Sequence, residues 1–292
     1  MARRLSLVSV GFAVVISAAS HVQAQTYSSF VLAGNPLFYW NFNEAGDTDA
    51  AIDQVGSDAG DNLTALGNAI RIASTSTTGG LSLGRAASFD GVQATRFFSN
   101  TLTPATDPDA WAIEMWIRPQ GADPGIRNDY LMEARGDAPN NNNNPGILLD
   151  YVGVGDDKME VFKGSRTGSA GPTLTTDAWQ HVVMGYFGTA NDRIDFFRNG
   201  AAAGSVTGFA TDVRIGTNSI AVGNSLPTDP NFDSFQGQID ELAIYDLTGL
   251  DIAAISAKLA SLAAHSSAVP EPAAAILIAL AAPFLLRIRR RA

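Results

Sequence analysis

The chain has 292 residues, 46% of them hydrophobic, with 28 glycines, 13 prolines and no cysteine; this supports one sizeable core of short strands and excludes disulfides, thiolate metal sites and a cysteine nucleophile. Net charge is −10, but six of the nineteen basic residues (Arg3, Arg4, Arg287, Arg289, Arg290, Arg291) and Glu271 lie in the terminal segments, which leaves 13 basic against 28 acidic residues, or −15. Such a surface repels nucleic acid and meets an anionic polysaccharide only through a basic patch or a bridging cation.

In chain order, residues 1–24 combine basic Arg3 and Arg4, an apolar run over 5–19 and the small-residue cleavage site Val22-Gln23-Ala24. This is the pattern of a secretory signal peptide, removed by signal peptidase. The flanks of the paired arginines fit twin-arginine export poorly, so the general secretory route is expected. Residues 37–44 read as an aromatic-rich strand ended by Ala45-Gly46-Asp47, and residues 53–67, full of turn formers and scattered acids, as a surface loop. Residues 82–89 read as a strand that meets Asp90-Gly91, a hairpin signal before a second strand over 92–98.

Residues 111–118 give the cleanest strand: Trp111, Ile113, Met115 and Ile117 share one face, Glu114, Trp116 and Arg118 the other, and Pro119 ends it. Residues 121–146 read as a polar loop with an asparagine run over 140–144, and a loop of that length is usually functional or mobile. Strands are then expected over 147–154 and 159–163, paired through the turn 155–157, and over 179–187, apolar on both faces. Residues 193–198 and 201–206 flank Asn199-Gly200, the best hairpin turn in the chain because both residues tolerate positive φ. A short strand is read at 220–223.

Residues 235–246 form the last expected strand, with Asp240, Leu242 and Ile244 on one face and Ile239, Glu241, Ala243 and Tyr245 on the other. An acid on an apolar face is costly to bury unpaired, so Asp240 calls for a backbone donor, an arginine or a cation. Asp251 then caps a helix on which Ile252, Ile255, Leu259 and Leu262 recur at helical spacing. No period of 20 to 50 residues is present, and many short strands at regular spacing indicate a sandwich.

After the polar hinge His265-Ser266-Ser267 come Pro270, Glu271 and Pro272, an apolar run over 273–286 and an arginine cluster. As a helix the run reaches about 21 Å, short of a hydrocarbon core of about 30 Å, and Pro283 kinks it. This suits temporary retention better than a permanent anchor. The order Pro-Glu-Pro, apolar segment, arginines resembles the PEP-CTERM sorting signal of Gram-negative bacteria. The resemblance implies processing by an exosortase near Pro270 to Pro272 and delivery through the inner membrane to the cell surface, the exopolysaccharide matrix or the medium, with membrane contact through the tail beforehand. The chain thus divides into a signal peptide (1–24), a β-sandwich (25–264), a hinge with the Pro-Glu-Pro motif (265–272) and an apolar segment with its arginines (273–292).

Five pieces in order, Ala87-Ser-Phe-Asp-Gly91, Trp111-Ala-Ile-Glu-Met-Trp-Ile-Arg-Pro119, Trp179-Gln-His-Val-Val183, Phe197-Arg-Asn-Gly200 and Gly237-Gln-Ile-Asp-Glu-Leu242, resemble the laminin-G-like, concanavalin A-like domain. The resemblance implies an all-β jelly-roll sandwich of two antiparallel sheets, on a fold that hosts lectins, adhesion modules, hydrolases and plain spacers. Glycoside hydrolases on it carry Glu-x-Asp-x-x-Glu, which this sequence lacks, and Glu133-Ala-Arg-Gly-Asp137 has the wrong spacing. His181, mid-strand beside Trp179, reads as packing, and no phosphate loop or zinc spacing is present. The resemblance also implies one structural Ca2+ with an acid of the last strand as ligand; carried over, that role falls to Asp240, with help from Glu44, Asp53 or Asp90. A glycan rim is expected on residues 123–144, at Arg127, Asn128, Asp129 and Tyr130. The function expected is non-enzymatic contact with a glycan or matrix, against a hydrolase or lyase with an unfamiliar acid pair, or a passive matrix component.

Overall fold

The computed structural model describes residues 27–56, 58–74, 84–92, 94–99, 102–103, 108–120, 128–135, 146–150, 158–163, 165–166, 171–208, 219–225 and 234–267. The signal peptide, Arg127 and Pro270, Glu271 and Pro272 lie outside them. Among the described residues two antiparallel sheets form the body. Numbering strands along the chain, the eight-stranded sheet runs β13 (Ala201–Thr207), β12 (Arg193–Arg198), β11 (Gln180–Tyr186), β6 (Trp111–Pro119), β15 (Gln236–Asp246), β4 (Arg85–Asp90) and β3 (Ile70–Ala73), with β1 (Phe38–Trp40) also on β15. The seven-stranded sheet runs β10 (Ser165–Arg166), β9 (Lys158–Lys163), β8 (Gly146–Asp150), β7 (Asn128–Arg135), β14 (Ser219–Val222), β5 (Arg96–Ser99) and β2 (Thr64–Leu66). This is the expected all-β sandwich.

The two faces of β6 explain the layering. Trp111, Ile113, Met115 and Ile117 enter a core shared with Phe97, Leu131, Met132, Ile220 and Val222 of the opposite sheet, as period-two alternation predicts. The other face, with Ala112 and Trp116, packs beneath two helices: α1, residues 27–33, and α2 (Ile252–Ala264). Asp251 caps α2 as expected, its Oδ1 accepting from Ala254 N at 2.8 Å. Ile255, Leu259 and Leu262 are buried, but Ile252, in the first turn, is exposed. Asn199 and Gly200 take φ of 50° and 83° in the turn between β12 and β13, as the sequence predicts.

Four expectations are corrected. Asp90-Gly91 closes no hairpin: β4 and β5 belong to different sheets, so the turn carries the chain from one layer to the other. Residues 121–146 are not all loop, since β7 runs through them and pairs with β14 and β8. Residues 53–67 carry a 3-10 turn (Ala59–Asp61) and β2, with Asp53, Asp61 and Leu63 buried. His265–Ser267 form a 3-10 turn that continues α2, not a hinge.

Candidate functional site

β15 pairs with β6 along one edge, while its other edge pairs with β4 as far as Ile239 and with β1 from Leu242 onward. Asp240 and Glu241 fall where the partner changes. Glu241 adopts φ 54° and the register on β6 shifts between Asp240 and Ala243, a β-bulge that inserts one residue. Parity therefore reverses: Ile239 shares the intersheet core with Leu242 and Ile244, while Ala243 and Tyr245 lie under the helices. The expected alternation holds only beyond the bulge. Asp240, opposite Trp116, faces the helix side, and Glu241 meets Tyr39 on that side. The two acids thus share one face, where strict alternation would separate them.

Glu114 of β6 joins them, and all three carboxylates are 0% exposed. The Tyr39 hydroxyl donates to Glu241 and is 2.8 Å from the Ser28 hydroxyl. His265 Nδ1 lies 3.1 Å and 3.2 Å from the two Glu114 oxygens. Asp240 Oδ1 accepts from Glu241 N at 2.9 Å, the backbone donor its position called for. Burial pushes the carboxyl groups of Asp240 and Glu241 well up, and for Asp240 the neighbouring Glu241 charge adds to this. Burial also raises Glu114, with His265 and Lys258 opposing the rise. Tyr27 and Tyr39 are pushed up by burial and then by the glutamates, so both stay neutral. His181, 1% exposed and 5.2 Å from the Trp116 ring, is driven down to about 3 by burial and packs as neutral imidazole.

The four carboxylates expected around calcium do not meet. Asp53 accepts from the backbone N–H groups of Tyr39 (2.8 Å), Val55 (3.2 Å) and Gly56 (3.0 Å), which locks a turn. Asp90 accepts from Asn68 Nδ2 (2.8 Å) and Val92 N (3.0 Å) at the end of β4. Glu44 accepts from Ile52 N at 2.8 Å and lies 3.5 Å from Arg71 Nε, which already supplies its cation. Of the other three, Glu44 adds its charge to that of Glu241 at Asp240, and among the described residues no three acidic or histidine side chains converge as a metal-ligand set. These residues do not fit a shared calcium ion.

Of the glycan rim expected at Arg127, Asn128, Asp129 and Tyr130, Arg127 lies outside the described residues. Asn128 opens β7, and Asp129 and Tyr130 are only 4% and 7% exposed, held by strand pairing and a bridge from Tyr130 to Ser234. A different polar set lies on the outer face of the seven-stranded sheet. Phe97, Met132, Ala134 and Val161 point into the core, so Arg96, Phe98, Glu133 and Glu160 point away from it. The Arg96 guanidinium donates to Ser225 O, and Asn224 Nδ2 donates to Ser234 Oγ at 2.8 Å. Burial lowers Arg96, and the Glu133 charge beside it works the other way. Sequence reasoning missed this row, although Arg96 and Phe98 flanking the core residue Phe97 at a period of two is the signal that carries it.

Domain 4 of AbnA, a GH43 extracellular arabinanase from Geobacillus stearothermophilus solved with arabinotriose, shares this fold: 18% identity and a TM-score of 0.51 over 77% of this chain and 98% of that one. The Trypanosoma rangeli sialidase is 13% identical at a TM-score of 0.45, over 77% of this chain but only 32% of its own length. The SAP-like pentraxin of Limulus polyphemus is 15% identical at a TM-score of 0.41, over 58% of this chain and 78% of that one. Among curated proteins none matches the sequence. Residues 87–251, more than half of the chain and reaching from β4 to the cap of α2, match the family model Laminin_G_3, and the chain therefore belongs to the concanavalin A-like lectin/glucanases superfamily.

Proposed function

We propose that the protein is a non-catalytic binding module that contacts glycan, exported through the inner membrane of a Gram-negative bacterium and handed to the cell surface or exopolysaccharide matrix by a PEP-CTERM tail cut by an exosortase. The observation that carries this reading is where the carboxylates lie. Asp240, Glu241 and Glu114 are 0% exposed beneath the helices, out of reach of a polymer. Glu133 and Glu160 share the outer face but stand on β7 and β9 with β8 between them. Two strand spacings put them about 10 Å apart sideways, with a further offset along the strands, whereas hydrolysis needs two carboxyls roughly 5 to 10 Å apart across the scissile bond. Arg96 and Glu133 are only 5% and 2% exposed, so on this face the half-buried Phe98 is the group that offers an aromatic edge suited to holding a sugar. The arabinotriose bound to a domain of the same fold supports a glycan ligand.

The test is retention of the host-processed protein on immobilised exopolysaccharide from the same bacterium, with reducing ends measured in parallel. Retention without new reducing ends is expected, and Phe98→Ala should weaken it about fivefold, the loss of one aromatic contact worth roughly 1 kcal/mol. Release of reducing sugar would replace this reading with a glycan-active enzyme, and neither retention nor release would leave a passive matrix component. Running the assay with and without EGTA reads out the calcium dependence implied by the family resemblance: equal retention removes the ion from the account, and loss in EGTA assigns it a role outside the Glu44, Asp53, Asp90 and Asp240 set.

A further inference from the structure

The helices that cover the eight-stranded sheet are also where the described body begins and ends. The rings of Tyr27 and Phe30 of α1 lie 6.5 Å and 6.3 Å from that of His265, and Lys258 of α2 donates to Gly34 O just beyond α1. The Ser266 hydroxyl donates to Ala263 O at 2.9 Å, holding the chain end on the same layer. In a chain of net charge −10, every exposed residue of α1 and α2 is uncharged. Phe30, Leu32 and Ile252 are 43%, 42% and 50% exposed, and Leu250 in the turn before α2 is 45% exposed. Among the described residues the charges beside this cover are Asp251, which caps α2, the half-buried Lys258, the ion pair of Arg193 and Asp195 on β12, whose Asp195 pairs with Gly185 beneath Leu259, and the exposed Asp246 at the end of β15. On the opposite sheet Arg96, Glu133 and Glu160 stand on the outer face but are 5%, 2% and 5% exposed.

The apolar run of the tail starts at Ala273, six residues after Ser267. Six extended residues reach about 20 Å, while a body of this size has a radius of gyration of about 18 Å and is roughly 45 Å across. The tether is too short for free tumbling: with the tail inserted, the surface next to Ser267 is held at the headgroups. We infer that the α1–α2 cover is the face the domain lays on a phospholipid surface before its tail is processed, leaving the outer face of the seven-stranded sheet turned away from it. This rests on reading residues 273–291 as a membrane-inserted tail. Helices that expose apolar side chains and no acid are what an anionic bilayer tolerates, since carboxylates on them would be repelled by its surface potential.

The absence of cysteine makes single labelling clean. Ala257→Cys on α2 and Thr64→Cys on β2, both exposed sites, each receive one fluorophore in the full chain, reconstituted with vesicles of zwitterionic and anionic phospholipid carrying headgroup nitroxides. Quenching at 257 is expected to exceed that at 64 several-fold. Adding Ile252→Glu and Phe30→Glu should bring it down to the level at 64 while the protein still floats with the vesicles. Equal quenching at the two sites in the parent overturns the inference and leaves the tail reading intact. Failure of the full chain to float overturns the tail reading and the inference with it. Self-quenching between labels at 257, without lipid quenching, overturns it in favour of pairing between two copies.

Discussion

Glu241→Gln is expected to raise the melting temperature by roughly 3–6 °C at about pH 8 and to leave it nearly unchanged at about pH 5, a stabilisation of about 1–2 kcal/mol at roughly 2–4 °C per kcal/mol. The sign follows from linkage. Burial raises the folded pKa of Glu241 far above its unfolded value, so the folded state keeps a proton that the unfolded state releases above about pH 4.3. The stability this contributes is complete below the unfolded value and is lost as pH rises through the folded one. Glutamine resembles the protonated acid at all pH, and its carbonyl still accepts from the Tyr39 hydroxyl. Asp240 and Glu114 are raised by the same burial, so the variant keeps part of the decline. His181 acts in the opposite direction: held neutral down to about 3, it contributes stability above about pH 6.5 that is lost as pH falls. Thermal melts of parent and variant across this range check the claim, and parallel curves would remove the carboxylate from the account.

The same bulge marks where sequence reasoning stops. Period-two patterns placed β6, β11, β12 and β15 because their apolar residues alternate or run continuously, and Asn199-Gly200 named its turn because few other pairs take two positive φ values. Nothing in Ile239-Asp-Glu-Leu242 announces an inserted residue, since glutamate rarely enters the left-handed region. Its position there follows from β15 exchanging β4 for β1, a fact of assembly and not of local propensity. β7 was hidden by its flanks: Tyr130, Met132 and Ala134 alternate, but between an Asn-Asp start and a Gly-Asp-Ala-Pro end they read as loop. His265 was misread because polar residues before a proline-rich segment suggest a hinge, whereas its partner, Glu114, is 151 residues away. Asp240 was singled out correctly as needing a partner, yet the choice among donor, arginine and cation depended on atoms that only folding brings near.

Leu259→Ala is expected to produce the largest loss, about 3 kcal/mol within a usual range of roughly 2–5, or a fall of roughly 6–12 °C in melting temperature. Leu259 is 0% exposed and sits over Gly185 of β11 so closely that a Cβ there would lie 2.3 Å from Cδ2 and 2.6 Å from Cδ1. Gly185→Ala alone should therefore also destabilise, by about 1–3 kcal/mol, through displacement of α2. Combining the two should cost less than their sum by at least about 1 kcal/mol, because the new methyl fills part of the space the leucine leaves. Strict additivity would mean that α2 does not dock on β11 in this way. The same helix positions His265 against Glu114 and keeps water from the three carboxylates. Loosening it in Leu259→Ala should hydrate them, lower their folded pKa values and flatten the decline in stability above about pH 5. A melt series in which Leu259→Ala lowers stability uniformly, with the pH slope of the parent, would separate helix packing from the buried charges and show that something other than α2 keeps those carboxylates dry.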